Sequence, residues 1–356
     1  MRKILLLGGT GAMGNHLQRL LQNKKAEVYV TSRSNWSDYN NIHFIQGNAR
    51  KMSFIQELLK QDYWDVIVDF MVYHTEEFRL KAPLLLKACK QYVFLSSARV
   101  YADTQGLITE DTPRLLDVTD DLNYLQTDEY ALSKAREENI LFRENQKNWT
   151  IVRPYITYSE IRLQLGVLEK ETWLYRAVHN RTLVFSEDIA SKITTLTYGL
   201  DVARGIYALI GEEKALGQVF HITTSENHTW QEIFDVYLDV LEKHLGHRPK
   251  VKMIPYNPRV NITESRAQVI YDRYFNRKFD TSKISQYIDV STFKPTLTGV
   301  RECLEEFLQN PSYRMNGWGE HAMYDRIAGE WTPLTEIPSW EKRAKYLLRR
   351  TILAKK

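Results

Sequence analysis

Cysteine is scarce in this chain. Among 356 residues there are two, Cys89 and Cys303, far apart and each within an apolar-patterned segment. That argues against a disulfide framework and against a cysteine-based metal site, and it points to a reducing compartment. Long apolar runs are also missing, since nothing approaches the roughly 20 apolar residues of a membrane span. The opening "MRKILLLGG" pairs basic with apolar residues as a signal peptide does, but only four apolar residues precede the glycines. A signal-peptide core needs about 7–15, so a first β-strand in a cytoplasmic protein is expected. Internal repeats and low-complexity tracts are lacking too. What remains is an ordinary globular composition, 43% hydrophobic and 26% charged, able to bury a large core without cross-links.

Basic charge is thin over most of the chain. The net charge is +4, yet residues 340–356, "WEKRAKYLLRRTILAKK", carry seven Lys/Arg and one Glu. The tail therefore holds +6 and the rest about −2. A body without basic excess has no electrostatic footprint for a polyanion, and no nucleic-acid partner is expected.

The first 155 residues alternate short apolar runs with helical patterns: "KILLLGG", "MGNHLQRLLQNKK", "AEVYVTSR", "IHFIQGN", "SFIQELLKQ", "WDVIVDFM", "EEFRLKAPLLLKACKQ", "YVFLSS", a long helix from about Asp128 to Gln146, and "WTIVRP". Continuous apolar strands joined by helices predict a parallel sheet covered on both faces. Right-handed crossovers make it doubly wound, an α/β Rossmann fold. Beyond Pro154 the pattern loosens into a helix at "DVARGIYALIGEEKA", a strand at "QVFHIT", a helix opened by Thr229, and another at "STFKPTLTGVRECLEEFLQ". These predict a smaller, mixed α/β lobe.

In "LLLGGTGAMGNHL", Gly8, Gly11 and Gly14 recur every third residue between a strand and a helix. Glycine tolerates a tight turn and leaves room for a pyrophosphate at a helix N-terminus, where free N–H groups and the dipole favour anions. A tight turn without ligand is the bland alternative, but the strand–loop–helix setting favours dinucleotide binding. The spacing resembles the T-G-x-x-G-x-x-G loop of the short-chain dehydrogenase/reductase superfamily, with Leu7 in place of the threonine. The resemblance implies cofactor contacts at Gly8, Thr10, Gly11, Ala12, Met13 and Gly14.

At the end of the second strand, an acid would bind an adenosine ribose and repel a 2′-phosphate. Here Ser32 stands there and Arg33 follows. Arginine offers charge-assisted bonds to phosphate, so NADP(H) is favoured and NAD(H) is the alternative. Asn48, in "QGNAR", occupies the place where extended members of the superfamily carry an aspartate near the adenine.

"YVFLSSARVY" resembles the "SSxxVY" stretch of the extended short-chain dehydrogenases/reductases, the nucleotide-sugar epimerase/dehydratase group. The alignment makes Ser97 the catalytic-type serine and leaves Ser96 structural. In "TDEYALSK", Thr127 or Asp128 is expected to cap a helix, and Tyr130 and Lys134 at i and i+4 share its face. The resemblance makes Tyr130 the proton-transfer residue, Lys134 its charged neighbour and ribose anchor, and Ser97 the holder of the substrate oxygen. Tyr130 follows Ser97 by 33 residues, a longer gap than the family's, through an acidic stretch expected to be a surface loop, with a lid over the substrate as the alternative.

The likeness continues to about residue 310. "WTIVRPYITY" resembles the family's RP strand, implying that Pro154 and Ile156 line the nicotinamide and that Tyr155 faces substrate. Arg176, Arg181 and Arg273 are candidates to grip a nucleotide-sugar diphosphate, guanidinium being suited to it; surface charge is the bland reading. Ala98–Arg99 after Ser97 lacks the acid pair of the 4,6-dehydratases. The expected activity is therefore an NAD(P)(H)-dependent oxidoreductase on a nucleotide-activated sugar. The alternative is an epimerase with tightly held NAD, and a third reading is a non-catalytic NADP-binding sensor or RNA-binding relative. The expected organisation is a dinucleotide-binding domain at 1–160 with a returning segment near 195–225, a mainly substrate-binding lobe at 161–310, and an extension at 311–356. A homodimer through the helices near 76–90 and 128–146 is implied by the likeness alone.

In the tail, Trp340, Ala344, Leu347, Leu348, Thr351 and Ile352 form one apolar face if helical. Docking of that face on the protein, or self-association, is the first expectation, and peripheral membrane contact the second.

Overall fold

The computed structural model describes residues 1–314 and 317–351, with the backbone alone described at 263 and 264. The chain divides into two units. The first comprises residues 1–159, 195–227 and 276–296; the second comprises 160–194, 228–275 and 297–356.

The first unit is built on a seven-stranded sheet. Six of its strands are β1 (Arg2–Leu7), β2 (Ala26–Ser32), β3 (Ile42–Gln46), β4 (Trp64–Asp69), β5 (Cys89–Leu95) and β6 (Trp149–Pro154), joined by the strand Gln218–Ile222. The spatial order is Gln218–Ile222, β6, β5, β4, β1, β2, β3, and every pairing is parallel. Alternation along each strand separates two cores. On one face Ile4 and Leu6 meet Val28, Val30, Val66 and Val68, covered by Leu17 and Leu21 of helix α1 (Ala12–Leu21) and by Val202 and Ile206 of the helix Gly199–Leu209. On the other, Leu5 and Leu7 meet Ile67, Tyr92 and Phe94 beneath helices α2 (Met52–Gln61), α3 (Thr75–Lys87) and Tyr130–Arg143. The predicted Rossmann fold is therefore the observed one. Strand order reverses between β1 and β4, which creates the crevice at the strands' carboxyl ends where such sheets take ligands.

Helix ends differ from the sequence reading in one informative way. The Tyr130 helix is not capped by Thr127 or Asp128. Glu129 opens it, its carboxylate accepting from the Ala131 N–H at 2.8 Å. Asp128 instead accepts from the N–H and the hydroxyl of Thr75, at 3.1 and 2.6 Å. It thereby stabilises the N-terminus of α3, where carboxylates are favoured.

In the second unit, the strands Leu183–Ser186 and Val251–Ile254 pair in parallel. The helix Trp230–Leu245 opens at Thr229, as the sequence predicts, through a capping box with Glu232, and closes on Gly246 at φ 78°. Trp173 stacks on its Tyr237 at 4.5 Å between centroids. The helices Trp318–Ala328 and Trp340–Thr351 pack together around Trp318, Ala322, Ile337 and Tyr346. This corrects the docking expectation for the tail. The terminal helix docks through Tyr346, which is fully buried, while Trp340, Leu347 and Leu348 stay exposed. Tyr346 wins because burial serves both its ring and its hydroxyl: the O–H donates to Asp325 at 2.7 Å and accepts from the Thr332 N–H at 2.8 Å. Ile352 lies outside the described residues.

Candidate active site

The three loop glycines have three different reasons. Gly8 adopts φ +68°, a left-handed conformation that disfavours a side chain. A Cβ on Gly14 would lie 2.1 Å from the Gly9 carbonyl oxygen, so glycine there lets α1 approach the loop. Gly11 is the N-cap residue just before α1, and a Cβ there would meet no atom within 4 Å. No side chain caps α1, so its first N–H groups keep their capacity for an anion. Thr10, Ala12 and Met13 are partly exposed around this point. A pyrophosphate fits this cradle.

At the end of β2, Ser32 is buried, and its hydroxyl accepts from the Ser34 N–H at 3.2 Å and the Trp36 indole at 3.1 Å. Arg33 is exposed. Asn48 is half-buried, and its side-chain oxygen accepts from the Arg50 N–H at 3.0 Å. Trp36, which the sequence reading passed over, stacks near Phe44 at 5.9 Å and remains about half exposed.

Register brings the chemistry to one sheet edge. Leu7, the last residue before the glycine loop, pairs with Asp69, and Asp69 pairs with Phe94. Just beyond β5, Ser96 donates to Glu138 at 2.6 Å. Glu138 also takes a two-point bond from Arg153, at 2.8 and 2.7 Å, and a third cationic contact from Arg114 at 3.2 Å. Ser96 is thus engaged inside the protein. Ser97 is buried, and its hydroxyl accepts from the Arg99 N–H at 3.2 Å. Pro154 ends β6, Tyr155 is buried 5.3 Å from Phe279, and Ile156 begins a short strand paired with Leu196–Tyr198.

Tyr130 is the first residue of its helix and is half-buried. The Arg99 guanidinium lies 5.3 Å from its ring and donates to Glu129 at 2.6 Å. One turn on, Lys134 is buried. Its ammonium donates to Glu137 at 2.9 Å and sits 4.5 Å from the Phe94 ring. Glu137 also accepts from Ser133 at 3.2 Å. Burial pushes the Glu137 carboxyl up to about 7, opposed by Lys134 and reinforced by Asp69. Burial likewise raises Asp69, which accepts from the Met71 N–H at 2.9 Å and from the hydroxyls of Tyr92 and Tyr73 at 2.8 and 3.0 Å. The charged centre is therefore one ammonium with two buried carboxylates, Glu137 and Asp69, neither of which the motifs single out.

The three candidate diphosphate arginines are in the second unit and are engaged internally. Arg176 is buried between Asp325 and Glu330, at 2.5 and 3.1 Å. Arg181 pairs with Glu336. Arg273 pairs with Asp272 and donates to the Gly166 carbonyl at 2.9 Å. These bonds do not bring them together with one another. Among the described residues, no group of three metal-ligating side chains is gathered.

With the glycine cradle, the Ser97 turn and the Tyr130 helix in place, the comparison with known proteins is decisive. Residues 4–223 match the family described as NAD dependent epimerase/dehydratase family. The chain belongs to that family. Among similar proteins, the chloroplast stem-loop binding protein of 41 kDa b from Arabidopsis thaliana is 23% identical over 303 residues, 79% of this chain and 73% of that one. Two solved enzymes share the family's architecture with this chain. The dTDP-glucose 4,6-dehydratase of Bacillus anthracis, in complex with NAD, matches at TM-score 0.64 and 17% identity over 87% of this chain and 97% of that one. The UDP-glucuronic acid 4-epimerase of Bacillus cereus, in complex with UDP-glucuronic acid and NAD, matches at TM-score 0.64 and 18% identity over 86% and 99%.

Proposed function

We propose that this chain is an NAD(P)(H)-dependent oxidoreductase acting on a nucleotide-activated sugar through Ser97, Tyr130 and Lys134. The observation that carries this reading is the buried Lys134 ammonium, one helical turn from half-buried Tyr130, on the helix that packs beside the β5 end. A buried ammonium is costly and is retained where its charge has a use.

A nicotinamide held beside these residues would supply or accept the hydride. Tyr130 exchanges a proton with the substrate's carbinol or carbonyl oxygen, which the Ser97 hydroxyl holds. The Arg99 guanidinium, 5.3 Å from the Tyr130 ring, favours the negative charge that develops there as the proton leaves, and Lys134 follows one turn along the same helix. Glu137 gives Lys134 a counter-ion inside the protein, so the ammonium is not stranded in a low-dielectric core. The N–H groups following Gly11 would hold the pyrophosphate, with Ser32, Arg33 and Asn48 toward the adenosine. Exposed Arg33 is free to meet a 2′-phosphate, which supports NADP(H). Pro154, Tyr155 and Ile156 would line the nicotinamide and sugar. Arg176, Arg181 and Arg273 are assigned no part in substrate binding, because carboxylates already neutralise them.

The second reading is an epimerase retaining NAD, supported by NAD in the similar enzymes from the two Bacillus species. A third, RNA binding without catalysis, is supported by the stem-loop binding relative. A screen of nucleotide sugars with NADPH and NADH, read by nicotinamide absorbance, separates them. Substrate-dependent change with NADPH is expected. Sugar turnover without net absorbance change selects the epimerase. RNA retention with no nucleotide-sugar turnover overturns the enzymatic readings.

A further inference from the structure

The terminal helix Trp340–Thr351 is held from one side only. Tyr346 anchors it, Arg343 donates to the Ile337 carbonyl at 2.9 Å and Arg350 to the Glu330 carbonyl at 3.1 Å. At about 100° per residue, Trp340, Ala344, Leu347, Leu348 and Thr351 fall on the opposite side. Trp340 is 75% exposed, Leu348 47% and Leu347 37%; Ala344 and Thr351 are exposed too. An apolar stripe on a short charged helix would ordinarily turn inward. Here it turns outward, already folded and held in place.

We propose that this stripe docks on an anionic lipid surface, with the helix lying in the membrane interface. Charge decides the occupant. Glu341 is the helix's one acid, set against Lys342, Arg343, Lys345, Arg349 and Arg350. Arg343 flanks the stripe on one side, and on the other Lys345 follows just beyond Glu341. Arg343 and Arg350 bond to neutral carbonyls, so these contacts leave their charges uncompensated. A second copy of the chain would bring two such basic helices together, and they would repel. A nucleic acid would meet the cations but leave Trp340, Leu347 and Leu348 in water. An anionic bilayer satisfies both: indole and leucine enter the headgroup boundary, and each nearby cation strengthens binding roughly five-fold. Among the described residues no helix is long and apolar enough to cross a membrane, so the helix lies on the surface rather than spanning it. This inference is independent of the enzymatic reading.

The test uses the full chain and vesicles of phosphatidylcholine, with and without phosphatidylglycerol. Co-sedimentation with the anionic vesicles alone is expected, weakening as salt is added. Leu347→Glu/Leu348→Glu should weaken it at least about ten-fold, with an unchanged melting temperature because both side chains are exposed. Trp340→Phe should abolish a blue shift in tryptophan emission on vesicle addition. Equal pelleting of the double variant, or no pelleting of the wild type, overturns the proposal. So does self-association in sedimentation velocity that the double variant loses, because the stripe would then face a second copy.

Discussion

At the scale of single residues, Glu137 is the most consequential feature of the candidate site. It stands three residues after Lys134 and binds its ammonium from within the protein. Its carboxyl is pushed up to about 7 from an ordinary 4.5, by burial first. A raised acid favours the folded state fully below its unfolded pKa, and that contribution is lost as pH rises through the folded value. The wild type should therefore lose stability relative to Glu137→Gln between about pH 4.5 and 7. Thermal melting of both proteins across this range checks it, and parallel curves would contradict it. Arg33 makes a second residue-scale prediction. Arg33→Ala should weaken NADPH binding about ten-fold or more, as loss of a charge-assisted phosphate contact does, and leave NADH nearly unchanged. Nicotinamide fluorescence titration with each cofactor reads the ratio.

Legibility at this scale followed sequence distance. Tyr130 and Lys134 are readable because one helical turn joins them. The Lys134–Glu137 pair is as local, but no motif marks a glutamate there. Asp69 reaches the same centre only through the pairing of β4 with β1 and β5, which spacing alone does not reveal. The arginines show the same effect of distance. The partners of Arg176 and Arg181 lie about 150 residues further on, so in the sequence both read as uncommitted cations.

Among elements, the strand–glycine–helix unit separates structure from binding. Gly14→Ala places a methyl 2.1 Å from the Gly9 backbone oxygen. Backbone must move, and a loss of roughly 1–3 kcal/mol in stability is expected. Gly11→Ala meets no protein atom within 4 Å, so stability should be nearly unchanged while dinucleotide affinity falls. Melting temperature and cofactor titration, measured on both variants, distinguish the two roles; equal destabilisation would contradict it. Strands, helices and their order were readable because each apolar run is continuous and each helix periodic. Caps were less so. Asp128, two residues before the Tyr130 helix, stabilises α3 instead, and Tyr346, the one buried residue of the helix Trp340–Thr351, lies off the stripe that periodicity selects.

For the whole molecule, the parallel order with its reversal between β1 and β4 determines what the first unit can do. It gathers the glycine cradle, Asp69, Ser97 and the Tyr130 helix at the carboxyl ends of neighbouring strands. The family follows from this region, residues 4–223; the sugar does not, because the relatives differ in what they act on. The central claim is that Tyr130 moves a proton on a site that binds its cofactor independently. Its most direct test is Tyr130→Phe, compared with the wild type by NADPH fluorescence titration and by substrate-dependent nicotinamide absorbance with the nucleotide sugar that the screen identifies. The account predicts cofactor affinity within about two-fold of wild type and a rate lowered by roughly 10²–10⁴, the usual worth of a positioned acid–base group. Wild-type turnover by Tyr130→Phe would contradict it.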